Sequence, residues 1–286
     1  MAVASKGEDG QSFSIGNFVN DSALMIAYER ALESRRENAL FVDPLAEALS
    51  GGDKGEELSL KFGANCAMFG LADWPEFHKQ WVAVRTRFID DFLAEHASSF
   101  TQLVNLGAGY DTRAFRLDVL AGCSAFEVDM KAVNEIKARV FSSEELGKPK
   151  AKTKARYTVD LDFLDKGKTL RAALEGTDNF GADEPSIFVS EGLIMYLGQT
   201  GKLKLLKEVS AAAAKGSLFI LQFMEDVANN SPAALGQEEA KKVLGDEGWK
   251  DLAFFRFGED KLSFDRFPND KFEPVASFSF LTCVKA

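Results

Sequence analysis

The stretch Leu103 to Asp129, LVNLGAGYDTRAFRLDVLAGCSAFEVD, constrains the fold more than any other part of the chain. An apolar run, Leu103 to Leu106, stops at Gly107-Ala-Gly109; polar residues able to open a helix follow, and a second apolar run, Ala125 to Val128, ends on Asp129. That order outlines a strand, a tight glycine turn, a helix and a second, parallel strand with a carboxylate at its tip. Glycine at 107 and 109 lets the main chain turn sharply and lets a ligand approach where a Cβ would stand in the way. Asp129 follows Gly109 by 20 residues, near the spacing at which an acidic side chain meets ribose hydroxyls in nucleoside-binding α/β folds. An adenosine-containing ligand is the first expectation.

The place of the third glycine in GxGxxG is taken by Thr112. In dinucleotide enzymes that glycine permits close packing of helix on strand beneath a pyrophosphate. A ligand with adenosine and no pyrophosphate, such as S-adenosylmethionine, makes no such demand.

Strand and helix signals alternate after this unit. A helix is expected at Lys131 to Val140, a strand at Ala155 to Asp160, a helix near Lys168 to Leu174, a strand at Ser186 to Ser190, a helix at Gly201 to Ala214 and a strand at Ser217 to Phe223. Such alternation predicts an α/β fold with a doubly wound, Rossmann-like parallel sheet. Leu252 to Phe257 and Ser277 to Val284 are β-rich and joined by a polar stretch with Pro268 and Pro274, so they are expected to close the sheet as an antiparallel C-terminal edge.

The first third reads differently. A helical stripe runs through Leu24, Ala27, Tyr28, Ala31 and Leu32, Pro44 suits the first turn of a new helix, Gly51-Gly52 ends it, and Glu56 to Met68 and Glu76 to Ala97 read as two more helices. One domain is therefore expected over residues 1–286, with a flexible N-terminus at 1–21, a helical cap at 22–100 and the Rossmann-like core at 101–286. Trp74, Trp81, Phe88 and Phe92 are expected to face the cap interior.

The net charge of −10 leaves no broad electrostatic footprint for nucleic acid. The only basic cluster, Lys148 to Arg156, lacks aromatic interleaving and reads as a solvated loop. Cys66, Cys123 and Cys283 are widely separated and odd in number, which fits free thiols in a reducing compartment. With neither a transmembrane run nor a signal peptide in view, a cytoplasmic protein without a membrane partner is expected. Oligomeric state is not legible.

In an open parallel sheet, ligands sit at the carboxyl ends of the strands where strand order reverses. Gly107 and Gly109, Asp129, Asp160-Leu161 and Glu191-Gly192 are the residues that successive strands deliver there. An acidic residue after a strand also commonly caps the next helix, and Asp160 or Asp162 could do only that. Glu191 is different, because Ile187-Phe-Val-Ser-Glu-Gly-Leu-Ile-Met-Tyr-Leu197 holds it in an apolar stretch, where a carboxylate is costly without a cation or donors.

The segments LGAGYDTRAFRLD, FEVDM, YTVDLDF and SEGLIMYL, in this order and spacing, resemble the leucine carboxyl methyltransferase-like family of S-adenosylmethionine-dependent O-methyltransferases, which includes relatives of bacterial polyketide O-methyltransferases. Arg30 with the stretch Ala31 to Gly51, and VRTRFIDDF at Val84 to Phe92, resemble that family's helical cap. The resemblance implies a role for single positions. It assigns Arg85 to the methionyl carboxylate, a partner suited to a forked cation, and Gly107 to the floor under the methionyl part. Asp129 is assigned to the ribose hydroxyls, Asp160 and Leu161 to the adenine, Glu191 to the cofactor's amino end, and Tyr196 to the catalytic position facing the methyl group. Met130-Lys131 and Tyr110 depart from the family pattern.

The expected activity is methyl transfer from S-adenosylmethionine to a carboxylate or hydroxyl of a small organic molecule. An in-line nucleophile held close and dry is the main requirement, and a hydroxyl acceptor would gain from a base. The sequence offers no evident one. His78 and His96 fall on cap helices and read as structural or exposed, which favours a carboxylate or an acidic phenol. Three other readings stand beside this one: methylation of a protein C-terminal carboxylate, a nicotinamide-dependent dehydrogenase, and a catalytically silent binding protein on the same fold.

Overall fold

The computed structural model describes residues 15–68, 73–165, 167–225, 234–266 and 277–286. Four helices come first: α1 (Ile15–Ser34), α2 (Ala46–Leu49), α3 (Asp53–Met68) and α4 (Trp74–His96). β1 (Gln102–Leu106), α5 (Arg113–Arg116), β2 (Ser124–Asp129), α6 (Lys131–Phe141), β3 (Ala155–Asp160), α7 (Leu170–Glu175), β4 (Ser186–Ser190), α8 (Gly198–Ala212), β5 (Leu218–Glu225), α9 (Gln237–Asp246), β6 (Trp249–Arg256) and β7 (Ser277–Lys285) follow. The strands form one sheet in the order β3-β2-β1-β4-β5-β7-β6. All pairs from β3 to β5 are parallel, whereas β7 is antiparallel to both β5 and β6. Strand order therefore reverses between β1 and β4, and the α/β class, doubly wound sheet and antiparallel edge are those that the alternation predicts.

β1 is buried from end to end, as a central parallel strand covered on both faces must be. Val104 and Leu106 join Phe126, Phe188 and Phe219 against α7, α8 and α9. Leu103, Ile187, Val189, Ile220 and Phe280 face the other way, onto Trp81, Val84, Ile89 and Leu93 of α4. Trp74, Phe88 and Phe92 pack into this second cluster, so the aromatic stripe of α4 lies against the sheet. A third cluster joins Ala27, Leu45 and Leu49 of the N-terminal helices to Tyr110 and Ala125.

Some boundaries differ from expectation. α1 begins at Ile15, so residues 15–21 are helical where a flexible N-terminus was expected; residues 1–14 lie outside the described residues. The helix after the glycine turn is a single turn, α5, because Leu117 leaves helical geometry at φ −96°, ψ 112°. α9 was not expected, and its apolar face is short, with Ala240 and Leu244 buried. The link with Pro268 and Pro274 falls outside the described residues.

Arg156, last residue of the basic cluster expected to be solvated, is a structural partner. Glu127 of β2 is buried, and it meets Lys137 Nζ at 2.6 Å and Arg156 Nη2 at 2.6 Å. Burial pushes the Glu127 carboxyl up, and the two cations more than offset it, leaving it below its ordinary range. The Arg156 guanidinium also lies 5.1 Å from the Phe115 ring centroid, a cation over an aromatic face. These contacts tie α6 and β3 to β2, just behind the tip that carries Asp129.

Candidate functional site

A cavity of about 320 Å³ opens at the carboxyl ends of β1, β2 and β4 and is roofed by α1 and α4. It lies at the reversal of strand order, where open α/β sheets bind ligands. Gly107 and Gly109 both line it, with φ +64° and +43°, the left-handed region that glycine adopts without steric cost. A Cβ at 107 would lie 3.0 Å from Leu193 Cβ and Cδ1. Gly107→Ala is thus expected to lose about 1–2 kcal/mol of stability from backbone strain alone, read as a lowered urea midpoint.

Asp129 ends β2 and lines the same cavity. Its Oδ2 accepts the Gly109 N–H at 2.7 Å and its Oδ1 accepts the Met130 N–H at 2.7 Å. Burial raises its pKa, only partly opposed by those two donors. The carboxylate keeps lone pairs to spare, as two hydroxyls of a ribose would need.

Arg85 projects from α4 and Glu191 follows β4; Arg85 Nε stands 2.8 Å from Glu191 Oε1. That contact is an ion pair outside hydrogen-bond geometry, and Arg85 Nε is buried without a hydrogen-bond partner among the described residues. Gly192, at φ +66°, passes so close to the guanidinium that a Cβ there would lie 3.8 Å from Arg85 Nη1. Glu191 Oε2 accepts from Arg113 Nη1 at 2.7 Å. Burial raises the Glu191 pKa, and the Arg113 and Arg85 charges more than reverse this, holding it below its ordinary range.

Sequence reasoning missed Arg113, the centre of this network. Its side chain is 5% exposed and pairs with Asp90 at 2.7 Å, with Asp111 and with Glu191. Asp90 also holds Arg116 Nη1 at 2.6 Å. Arg113 lies inside the motif GAGYDTR, and the available signal was a cation four residues past the glycine turn and two past Asp111. A second unforeseen group links α1 to the turn. Arg30 donates from Nη2 to the Tyr110 carbonyl at 2.6 Å and from Nε to Asp43 at 3.0 Å, and Thr112 Oγ1 donates to the same Asp43 oxygen at 2.7 Å. Thr112, at the place of the third glycine, is thus a cap-binding residue.

Tyr196 lines the cavity from the turn after β4. Asp160 and Leu161 do not line it. Asp160 accepts from Asn134 Nδ2 at 2.8 Å, and the Leu161 N–H donates to the Asp129 carbonyl at 2.9 Å. The cavity wall after β3 is made by Asp162, Phe163 and Leu164. His78, read from sequence as structural or exposed, lines the cavity. Residues 226–233, which follow β5, lie outside the described residues.

These features suit a cofactor with an amino-acid tail at one end and a ribose at the other. A cation with an uncommitted donor stands beside an acid at one end of the cavity, a Cβ at Gly107 would press on Leu193, and an acidic strand tip closes the far side. A match to the leucine carboxyl methyltransferase family covers residues 23–210. The chain belongs to that family. A Mycolicibacterium smegmatis relative, provisionally named an S-adenosyl-L-methionine-dependent methyltransferase, is 35% identical over 76% of this chain and 71% of its own. A Streptomyces avermitilis relative with a name of the same kind is 34% identical over 80% of this chain and 82% of its own. Human N-acetylserotonin methyltransferase, solved in complex with SAM, is 11% identical over 90% of this chain and 74% of that one, with a TM-score of 0.48. As a member of the leucine carboxyl methyltransferase family, the chain is a methyltransferase, and the dehydrogenase reading gives way.

Proposed function

We propose that this protein transfers the methyl group of S-adenosylmethionine to an oxygen, carboxylate or hydroxyl, of a small organic acceptor in the cytoplasm. The observation that carries this is the shared cavity: Arg85, Gly107, Asp129, Glu191 and Tyr196 come from separate elements and all border it. When bound, the cofactor supplies a methyl group already activated on a sulfonium sulfur. Arg85 holds the tail carboxylate with its free donors, Glu191 holds the ammonium, and Asp129 holds the ribose hydroxyls. Asp160 and Leu161 stand outside the cavity lining, so Asp162 and Phe163 are the adenine neighbours that the cavity favours.

A small acceptor is favoured over a protein terminus because α1 and α4 roof the cavity with Met25, Ile26 and Trp81. The volume sits at the lower end of the ~300–1,000 Å³ range of small-molecule sites. The buried Cys123 and Cys283 are free thiols, consistent with a reducing compartment, and among the described residues no helix is long and apolar enough to cross a membrane.

Calorimetry with S-adenosylhomocysteine tests the cofactor assignment, and methyl transfer to a panel of carboxylates and phenols, read by mass spectrometry, tests the acceptor. Arg85→Lys keeps the charge and loses the fork. It is expected to weaken S-adenosylhomocysteine binding about tenfold, equivalent to ~1.4 kcal/mol. Unchanged affinity would remove Arg85 from the cofactor tail.

A further inference from the structure

Resting on that reading, we infer that the acceptor is an aromatic hydroxyl and that His78, held by Glu29, is the base that takes its proton. His78, Trp81 and Arg85 all line the cavity from α4, at spacings that place them on one helix face. At 1.5 Å per residue, His78 stands about 10 Å along the axis from Arg85, the group assigned to the cofactor tail. The helix thus carries the tail clamp at one end of the cavity and the imidazole at the other, with room between them for the acceptor.

The imidazole is held as a base needs to be. His78 Nδ1 lies 2.8 Å from Glu29 Oε2 of α1, and the Glu29 side chain is 1% exposed. A carboxylate accepts only, so in the neutral imidazole Nδ1 carries the hydrogen and Nε2 keeps the lone pair. The His78 side chain is 14% exposed, sheltered yet reachable from the cavity. Glu29 Oε1 is buried with no hydrogen-bond partner among the described residues. A buried acid with one oxygen on a ring nitrogen and the other unmet is costly unless it serves the histidine.

The walls beside His78 choose the acceptor. Trp81 and Phe278 stack at 4.9 Å and 22°, and both border the cavity along with Met25 and Ile26. Flat apolar walls fit an aromatic ring, and the other cations that border the cavity, Arg30, Arg113 and Arg116, are already held by Asp43, Asp111 and Asp90. In the step, His78 Nε2 takes the hydroxyl proton, the acceptor oxygen forms a bond to the methyl carbon, and the S–CH3 bond breaks with its electron pair staying on sulfur. The products are an aryl methyl ether and S-adenosylhomocysteine, and the imidazolium returns its proton to solvent. A carboxylate acceptor would need no base, and the His78–Glu29 pair would then have no work at this place.

One probe carries both acceptor types: 4-hydroxycinnamate, incubated with the full-length protein and S-adenosylmethionine, yields a methyl ether from its hydroxyl or a methyl ester from its carboxylate. The ether is expected. His78→Gln should lower ether formation at least 100-fold, and Glu29→Gln should lower kcat at least tenfold with KM within about twofold, both variants binding S-adenosylhomocysteine as the parent does. An ester product, no product from a protein that binds S-adenosylhomocysteine, or ether formation undiminished in His78→Gln overturns the inference. Failure of the unmodified protein to bind S-adenosylhomocysteine would instead overturn the cofactor assignment beneath it. Should His78→Gln lose that binding by misfolding, Glu29→Gln and its kcat against KM decide.

Discussion

Asp129→Ala is expected to weaken S-adenosylmethionine binding by about 100-fold or more. Hydrogen bonds to a charged group contribute about 1.5–3 kcal/mol each, and a ribose offers two hydroxyls to this carboxylate, so the loss exceeds ~2.8 kcal/mol, or 100-fold. The substitution also frees the Gly109 and Met130 N–H groups that Asp129 now accepts, which loosens the glycine turn under the ligand. Calorimetry with S-adenosylhomocysteine measures the effect, and an unchanged Kd would remove Asp129 from the site. The same residue sets a pH dependence. Burial raises its folded pKa above the ordinary 3.8, so affinity should begin to fall at a higher pH than an exposed aspartate would give. For folding the sign is opposite to that of a paired acid: the stability that Asp129 contributes is full below 3.8 and is lost as pH rises through its raised pKa. Asp129 therefore costs the free protein stability at neutral pH, a cost that ribose hydroxyls bound at this carboxylate would offset.

Arg113→Met is expected to destabilise the fold by about 3–5 kcal/mol, the usual result of stripping the partner from buried charge. Arg113 faces Asp90, Asp111 and Glu191 at once. Arg116 remains on Asp90 and Arg85 beside Glu191, whereas Asp111 has no second ion-pair partner among the described residues. Urea denaturation should show a lower midpoint with an unchanged slope. Arg113→Lys should recover little of the loss, because a point charge cannot serve acids on α4, in the glycine turn and just after β4 together. A midpoint within measurement error of the parent would mean that the network is solvated.

Acid should weaken the fold for a related reason. Asp43, Asp111, Glu127 and Glu191 are each raised by burial and lowered further by neighbouring cations, ending below their ordinary values of 3.8 and 4.5. Their contribution is present above those values and disappears as pH falls through the lowered ones. A urea midpoint that drops on acidification below about pH 4.5 is the expected outcome; one that rises would indicate that Asp129 outweighs all four.

The parts of this molecule legible in its sequence are those where one strand tip speaks for itself. Gly107, Asp129 and Glu191 could be placed because a continuous apolar run broken by a glycine or an acid marks where a buried parallel strand ends. Asp160 obeyed the same rule and still fell outside the cavity, since a strand tip fixes height in the sheet and not the direction of a side chain. His78 and Glu29 are 49 residues apart, and nothing in either helix's periodicity announces that α1 and α4 bring them together. Arg113 was hidden by its motif, because a charged residue in a presumed helix reads as solvated until three carboxylates are seen around it. α9 escaped because its two buried residues give too short a stripe to separate from a polar loop.

The position of β7 between β5 and β6 has a consequence for the order in which the protein can be completed. β5 ends at Glu225, yet its antiparallel neighbour is the last strand of this sequence, Ser277–Lys285. While the chain is being synthesised, β5 presents an open edge and β6 lacks its strand partner until β7 has left the ribosome. Phe278, which stacks on Trp81 at the cavity, arrives with that strand. A ribosome-bound nascent chain would therefore hold the glycine turn and its acids but lack one wall of the pocket, and any premature stop before Ser277 would leave a sticky strand edge in place of an enzyme.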